Sequence, residues 1–339
     1  MSAPSPRPAR ARRATVSLIL LVAGLLLLVW TFRRLDLRAE DIQTGFAKVG
    51  VWFAAILVIS LVRFVLRARA WMALTGLPLP VGPAVAATIS GDALGNVTPL
   101  GLVASEPAKA LYLRRLADPG HTLPALIAEN FFYSVSVAIY VIIASAAMFV
   151  FFDLSPAARM AGQLSLVAMA LVLVGAVWLA WQRPAMASRL LARLPGGRLR
   201  DVASRVQQFE ERTYGAATGR APLGTVAACE ISFHLLSLVE CWLTFWLLAG
   251  ETSLAPALVF DGFNRVVNVV AKPVPMRVGV EEGGTALLAG AIGLLPYDGF
   301  MLGIVRKVRM IVWAAVGLGL WAWKVAAERP AAKGLSGNP

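Results

Sequence analysis

The sequence predicts an all-α, polytopic transmembrane helical bundle of about six full spans plus two re-entrant broken-helix segments. Three observations carry that prediction. Hydrophobic residues make up 58% of the 339 and charged residues only 15%, with a mean hydropathy of +0.70; a soluble domain carries about 25% charged residues. Apolar runs of roughly twenty residues, enough for a helix to cross about 30 Å of hydrocarbon, recur along the whole chain. The basic residues cluster in short stretches between those runs. Residues 15–324 are therefore expected to form one membrane unit, between a basic cytoplasmic N-terminus (1–14) and a cytoplasmic tail (325–339).

The first apolar run follows a basic stretch ending at Arg13 and resembles a signal peptide. It is longer than the roughly 7–15 residues of a signal core and lacks an Ala-x-Ala cleavage site, so an uncleaved first helix is expected. The full spans are placed at 15–32, 50–71, 122–150, 162–182, 223–248 and 299–324. With the N-terminus inside, the inner segments hold 19 Lys and Arg and the outer ones 5. That asymmetry predicts that both termini are cytoplasmic. Arg33, Arg34, Arg38 and Lys48, in the first outer loop, run against it.

The net charge of +13 sits beside apolar spans, which points to topology and anionic membrane lipids as the partner and away from nucleic acid. The basic segment 183–222 is read either as an amphipathic helix on the cytoplasmic leaflet, with Leu190, Leu194, Val206 and Phe209 on its apolar face, or as a solvated linker. Cys229 and Cys241 lie in one apolar span without metal-ligand spacing and read as small buried side chains. No cofactor or metal is expected. No Ser/His/Asp order, phosphate-cradling glycine loop or aspartate-rich motif is evident, so enzyme status has little support.

Two segments, 81–116 and 254–295, are apolar but broken by Pro, Gly and polar residues, and each fits two short helices better than one span. A shift of 176 residues pairs Pro99 with Pro275, Glu106 with Glu282, and Ala110-Leu111 with Ala286-Leu287. Each segment thus runs from an apolar half through a Pro/Gly break to an acid and a second apolar half. The predicted topology inverts one unit relative to the other, an arrangement common in transporters, whose site lies where the repeats meet. Irregular backbone at that depth must face protein or a wet cavity.

A charge at the bilayer centre costs at least about 2.5–3.5 kcal/mol, more than the roughly 0.3–1 kcal/mol a carboxylate gains at a helix N-terminus. Glu106, Glu281 and Glu282 therefore call for cationic partners or a function. Candidate substrate-binding residues are Asn96, Glu106, Lys109, Glu129, Asn264, Arg265, Asn268, Lys272, Arg277, Glu281, Glu282, Arg306 and Arg309. Asn264 and Asn268 share a helix face, as do Arg306 and Arg309. The guanidinium groups suit a lipid phosphate, or equally suit ion pairs that neutralise the acids. Glu230 and His234, four apart, read as a helix–helix contact or a proton-linked pair.

At these residues the chain resembles the lysylphosphatidylglycerol synthase transmembrane-region family, the flippase-like domain proteins. The resemblance rests on Asn96-Val-Thr-Pro99-Leu-Gly101 leading to Ser105-Glu106-Pro-Ala-Lys109, and on Pro273-Val-Pro275-Met-Arg277-Val-Gly279 leading to Glu281-Glu282-Gly-Gly. Glu129 and the cluster from Arg306 to Arg309 extend it over nearly the whole chain. It departs at Asn130, where an arginine is expected, and at Met276-Arg277, which replaces a glycine-rich turn. The resemblance implies a bundle with re-entrant segments that translocates lipids. It also implies no lipid synthesis here, for want of an aminoacyl-transferase domain after residue 324.

The function expected is a translocase for a phospholipid or lipid-linked intermediate in the bacterial inner membrane. Two alternatives stay open. One is a non-catalytic scaffold for a lipid-biosynthesis enzyme, engaged through 183–222. The other is a membrane-embedded lipid-modifying transferase.

Overall fold

The computed structural model describes residues 22–98, 102–182, 207–215, 220–271 and 274–328, and every regular element among them is helical. In chain order these are α1 (22–34), α2 (Ala39–Val49), α3 (Trp52–Thr75), α4 (Val81–Val97), α5 (Leu102–Tyr112), α6 (Pro119–Phe151), α7 (Pro156–Gln182), α8 (207–215), α9 (Arg220–Ala249), α10 (Leu254–Val270), a 3₁₀ turn (Pro275–Arg277), α11 (Val280–Ala291) and α12 (Pro296–Glu328). The chain is a multi-pass helical membrane protein. Four of its helices (α6, α7, α9 and α12) are long and apolar enough to cross a membrane, or five spans if the bent pair α2–α3 is one. The start of the first expected span and most of segment 183–222 lie outside the described residues.

Local signals set the ends of these helices. Pro119 opens α6 at the first-turn position where its missing N–H costs nothing. The Ser253 hydroxyl accepts from Ala255 N at the start of α10. Thr98 is extended, as the residue before a proline prefers, and this stops α4. At the head of α11 the Glu282 carboxylate accepts from Gly279 N at 2.8 Å.

One element was not anticipated. The first outer loop folds into α2, bent 71° from α3. The sequence does favour a helix there: Glu40 and Asp41 lie in its first turn and Lys48 in its last, complementing the helix dipole. Its length of 11 residues is too short to read as a span. Lys48 ties it down by donating to Leu248 O at 2.9 Å.

The 176-residue shift extends well beyond the two broken segments. It carries α4, α5 and α6 onto α10, α11 and α12, whose lengths are 17, 11 and 33 against 17, 12 and 33 residues. It also carries α3 onto α9. The packing is reciprocal: α4 of the first half lies on α12 of the second, and α10 of the second lies on α6 of the first. The equivalent helices α3 and α9 pack on each other. Glycine permits both crossings: a Cβ on Gly317 of α12 would sit 2.5 Å from Ile89 O of α4, and one on Gly262 of α10 would sit 2.3 Å from the Ala144 Cβ of α6.

Trp71, Phe245, Phe260 and Phe300 are among the largest fully buried side chains. The outward faces of α7 and α9 expose Leu164, Leu171, Val174, Ile231 and Leu235. Exposed apolar surface of this extent belongs against lipid tails. α7 packs chiefly on α6, where Gly162 lets Met148 and Phe149 approach.

Candidate functional site

Between the two halves lies a cavity of about 480 Å³ whose wall draws on α3, α4, α5, α6, α7, α9, α10, the 3₁₀ turn, α11 and α12. Its size falls within the roughly 300–1,000 Å³ of small-molecule sites. Its lining is strongly charged. Seven cations (Arg63, Arg67, Lys109, Arg265, Arg277, Arg306 and Arg309) face three acids (Asp92, Glu106 and Glu281).

Most of these cations are held by acids set behind the wall. On α3, Arg63 and Arg67 share a helix face through their four-residue spacing. Arg63 pairs with Glu240 of α9 at 2.8 Å, and Arg309 of α12 joins the same carboxylate. Arg67 meets Glu129 of α6 at 2.7 Å. Asp261 of α10 receives Arg265 and Arg306, each at 3.1 Å, and the Ser237 hydroxyl at 2.9 Å. Lys109 pairs with Glu106 at 2.8 Å within α5. Lys307 reaches Glu281 at 3.1 Å and Glu282 at 3.4 Å.

Aromatic rings separate the like charges. Arg63 and Arg265 lie 4.4 and 5.2 Å from the Phe233 ring centroid, and Arg67 lies 4.1 Å from that of Tyr133. Such cation–π contacts hold arginines close together without an acid for each. Two carboxylates thus serve two arginines apiece. Several polar atoms are buried without a hydrogen-bond partner among the described residues: Arg63 Nε, Arg265 Nε, Arg277 Nε, Arg306 Nη1, Glu106 Oε2 and Asn264 Oδ1. A buried unmade hydrogen bond costs about 1–3 kcal/mol, and these four donors and two acceptors carry that cost among the described residues.

Arg277 is held differently. Its Nη1 donates to Asn96 Oδ1 at 3.3 Å and its Nη2 to the Met310 sulfur at 3.1 Å. Among the described residues no carboxylate ion-pairs with it. Met276 and Arg277 have φ of 52° and 54°, a left-handed conformation that costs an L-residue roughly 1–2 kcal/mol. Lys307 Nζ braces this turn by donating to Met276 O at 2.6 Å.

The structure brings together ten of the thirteen residues picked from sequence. Asn96, Glu106, Lys109, Asn264, Arg265, Asn268, Arg277, Glu281, Arg306 and Arg309 all line the cavity. Glu129 and Glu282 are buried behind it, the first on Arg67 and the second capping α11. Lys272 lies outside the described residues. Sequence reasoning missed Arg67, Glu240 and Asp261. The four-residue spacings Arg63/Arg67 and Asp261/Arg265 within apolar helices were the available signal. Glu230 and His234 both reach Ser136, at 2.9 and 3.0 Å, in a contact between α9 and α6 beside the cavity.

No curated protein and no solved structure matches the chain. The sequence model of one family, described as the lysylphosphatidylglycerol synthase TM region, matches residues 16–319. That span takes in both repeat units and every described residue lining the cavity, and the chain belongs to the lysylphosphatidylglycerol synthase transmembrane-region family.

Proposed function

We propose that this protein is a translocase for phospholipids or lipid-linked intermediates of the bacterial inner membrane, with both termini cytoplasmic. The observation that carries the reading is the charged cavity lined by helices of both halves where the two broken segments meet. Six of its seven cations are held by acids, while Arg277 has no carboxylate partner among the described residues, an arrangement that suits an anionic headgroup crossing the bilayer.

In this reading the headgroup occupies the cavity while its acyl or prenyl chains stay in lipid. The wall suits both parts: Val137 of α6, Met169 and Val172 of α7, and Val269 of α10 give it an apolar side. Glu106–Lys109 forms the half-site of the first repeat, and Glu281–Glu282–Lys307 that of the second. Arg277, Arg306 and Arg309 contact phosphate. Rocking of one half on the other, about the α3–α9 contact, alternates access to the two leaflets.

The test is transbilayer movement of labelled phospholipid in proteoliposomes. Glu106→Gln keeps the shape of the side chain and removes the charge that holds Lys109. The variant is expected to be inserted and folded, with movement slowed by about tenfold or more, equivalent to one charge-assisted hydrogen bond. Wild-type movement in that variant would sink this assignment of the site.

A further inference from the structure

We propose that the hydrogen bond between Arg277 and Asn96 is a clasp across the two broken segments, opened when an anionic phosphate takes the place of Asn96 on Arg277. The proposal rests on the translocase reading for its role in transport, but the clasp and its ligand stand on their own observations.

Placement is the first of these. Arg277 sits on the turn that breaks the second segment, and Asn96 is the penultimate residue of α4, which Thr98 stops at the break of the first. Their bond, spanning 181 residues of sequence, joins the two breaks directly. The second observation is chemical. Arg63, Arg67, Lys109, Arg265, Arg306 and Arg309 each hold a carboxylate, whereas Arg277 holds a neutral amide oxygen at 3.3 Å and a thioether sulfur. The thioether is a weak acceptor and the amide oxygen an uncharged one at a long 3.3 Å, and the Arg277 Nε is buried without any. A phosphate oxygen offers a charge-assisted bond about twice as strong, and a fork of two suits a guanidinium. The Asn96 amide keeps a partner when released, because its Nδ2 already donates to Asp92 at 2.9 Å.

The third observation points to an anion independently of Arg277. Arg306 lines the same cavity, is 4% exposed, and its Nη1 has no partner among the described residues. The fourth couples binding to motion. The turn carries two consecutive non-glycine residues at positive φ, held by Lys307, by the Arg277 N–H on Val274 O, and by the Arg277 side chain on Met310 and Asn96. Releasing one hold lets the turn relax, and the break of the second segment moves away from that of the first.

The ligand chemistry is a phosphate mono- or diester, from a lipid headgroup or as free phosphate. The experiment uses the full chain in zwitterionic nanodiscs and compares wild type, Asn96→Asp and Asn96→Ala. Native mass spectrometry counts bound phosphatidylglycerol, and calorimetry follows inorganic phosphate. Asn96→Asp is nearly isosteric and places a carboxylate on Arg277; the bond to Asp92 is lost, and the two neighbouring acids then compete with phosphate for that guanidinium. The variant should weaken anion binding by about tenfold or more, one charge-assisted bond. Asn96→Ala removes the competitor and should tighten binding.

That order of variants with phosphatidylglycerol alone supports a headgroup ligand. The same order with inorganic phosphate supports a free anion. Equal binding by all three proteins overturns the clasp. Movement in proteoliposomes separates the two ideas. Wild-type lipid movement matched by Asn96→Asp would overturn the clasp and leave translocation standing. Ordered binding with no lipid movement in any of the three would do the reverse.

Discussion

Glu240 and Asp261 each carry two arginines, so the loss of Glu240 is felt on α3, α9 and α12 and that of Asp261 on α10 and α12. Breaking a buried pair by removing one partner costs about 3–5 kcal/mol, because the remaining charge stays buried. Glu240→Gln leaves Arg63 and Arg309 facing each other without compensation. It is expected to destabilise the protein by that amount, and thermal unfolding in detergent measures it. An unchanged midpoint would mean that the pair contributes nothing to stability. Arg309→Ala should be milder, since Arg63 keeps Glu240 at 2.8 Å. Legibility at this scale was uneven. Asn96, Glu106 and Arg277 stood out because they sit beside Pro/Gly breaks in apolar sequence. Glu240 did not, because its partners lie 177 and 69 residues away and no local pattern announces a pair closed by tertiary contact.

Helix crossings depend on positions that have no side chain to spare. A Cβ at Gly317 would lie 2.5 Å from Ile89 O and 2.6 Å from the Ala93 Cβ, so the backbone of α4 must retreat to admit it. Gly317→Val should cost about 1–3 kcal/mol by overpacking, and Gly319→Val, in open space, should be nearly neutral. Comparing the two unfolding midpoints isolates the crossing from helix propensity; equal midpoints would count against close packing of α4 on α12. At the head of α11, Glu282→Gln should lose about 0.5–2 kcal/mol as the cap weakens. The helices themselves were largely readable. The expected spans 122–150, 223–248 and 299–324 correspond to Pro119–Phe151, Arg220–Ala249 and Pro296–Glu328, because long apolar runs with proline at the start leave few alternatives. α2 escaped because an 11-residue amphipathic helix beside a span resembles a polar loop.

At the scale of the whole molecule, the two halves exchange their broken helices across a common interface. We expect the halves to be inverted in the membrane, which places the turn before α6 and the turn before α12 on opposite faces. Arg115→Cys and Leu295→Cys test this, since both native positions are well exposed and the native Cys229 and Cys241 are buried. A membrane-impermeant maleimide on intact cells should label Leu295→Cys and spare Arg115→Cys; labelling of both from one side would remove the inversion.

The sequence by itself determined that this chain lives in a membrane, where its main helices run and where two of them break. Apolar length, proline and glycine are local quantities, and they act within a few turns of helix. Only the tertiary structure decided which charges share a cavity, which acid serves which arginine, and that Arg277 has an amide where its neighbours have carboxylates. The physical reason is that a buried charge is satisfied by whatever the fold brings within about 3 Å, and hydrogen-bonding distance is a property of packed helices rather than of spacing along the chain.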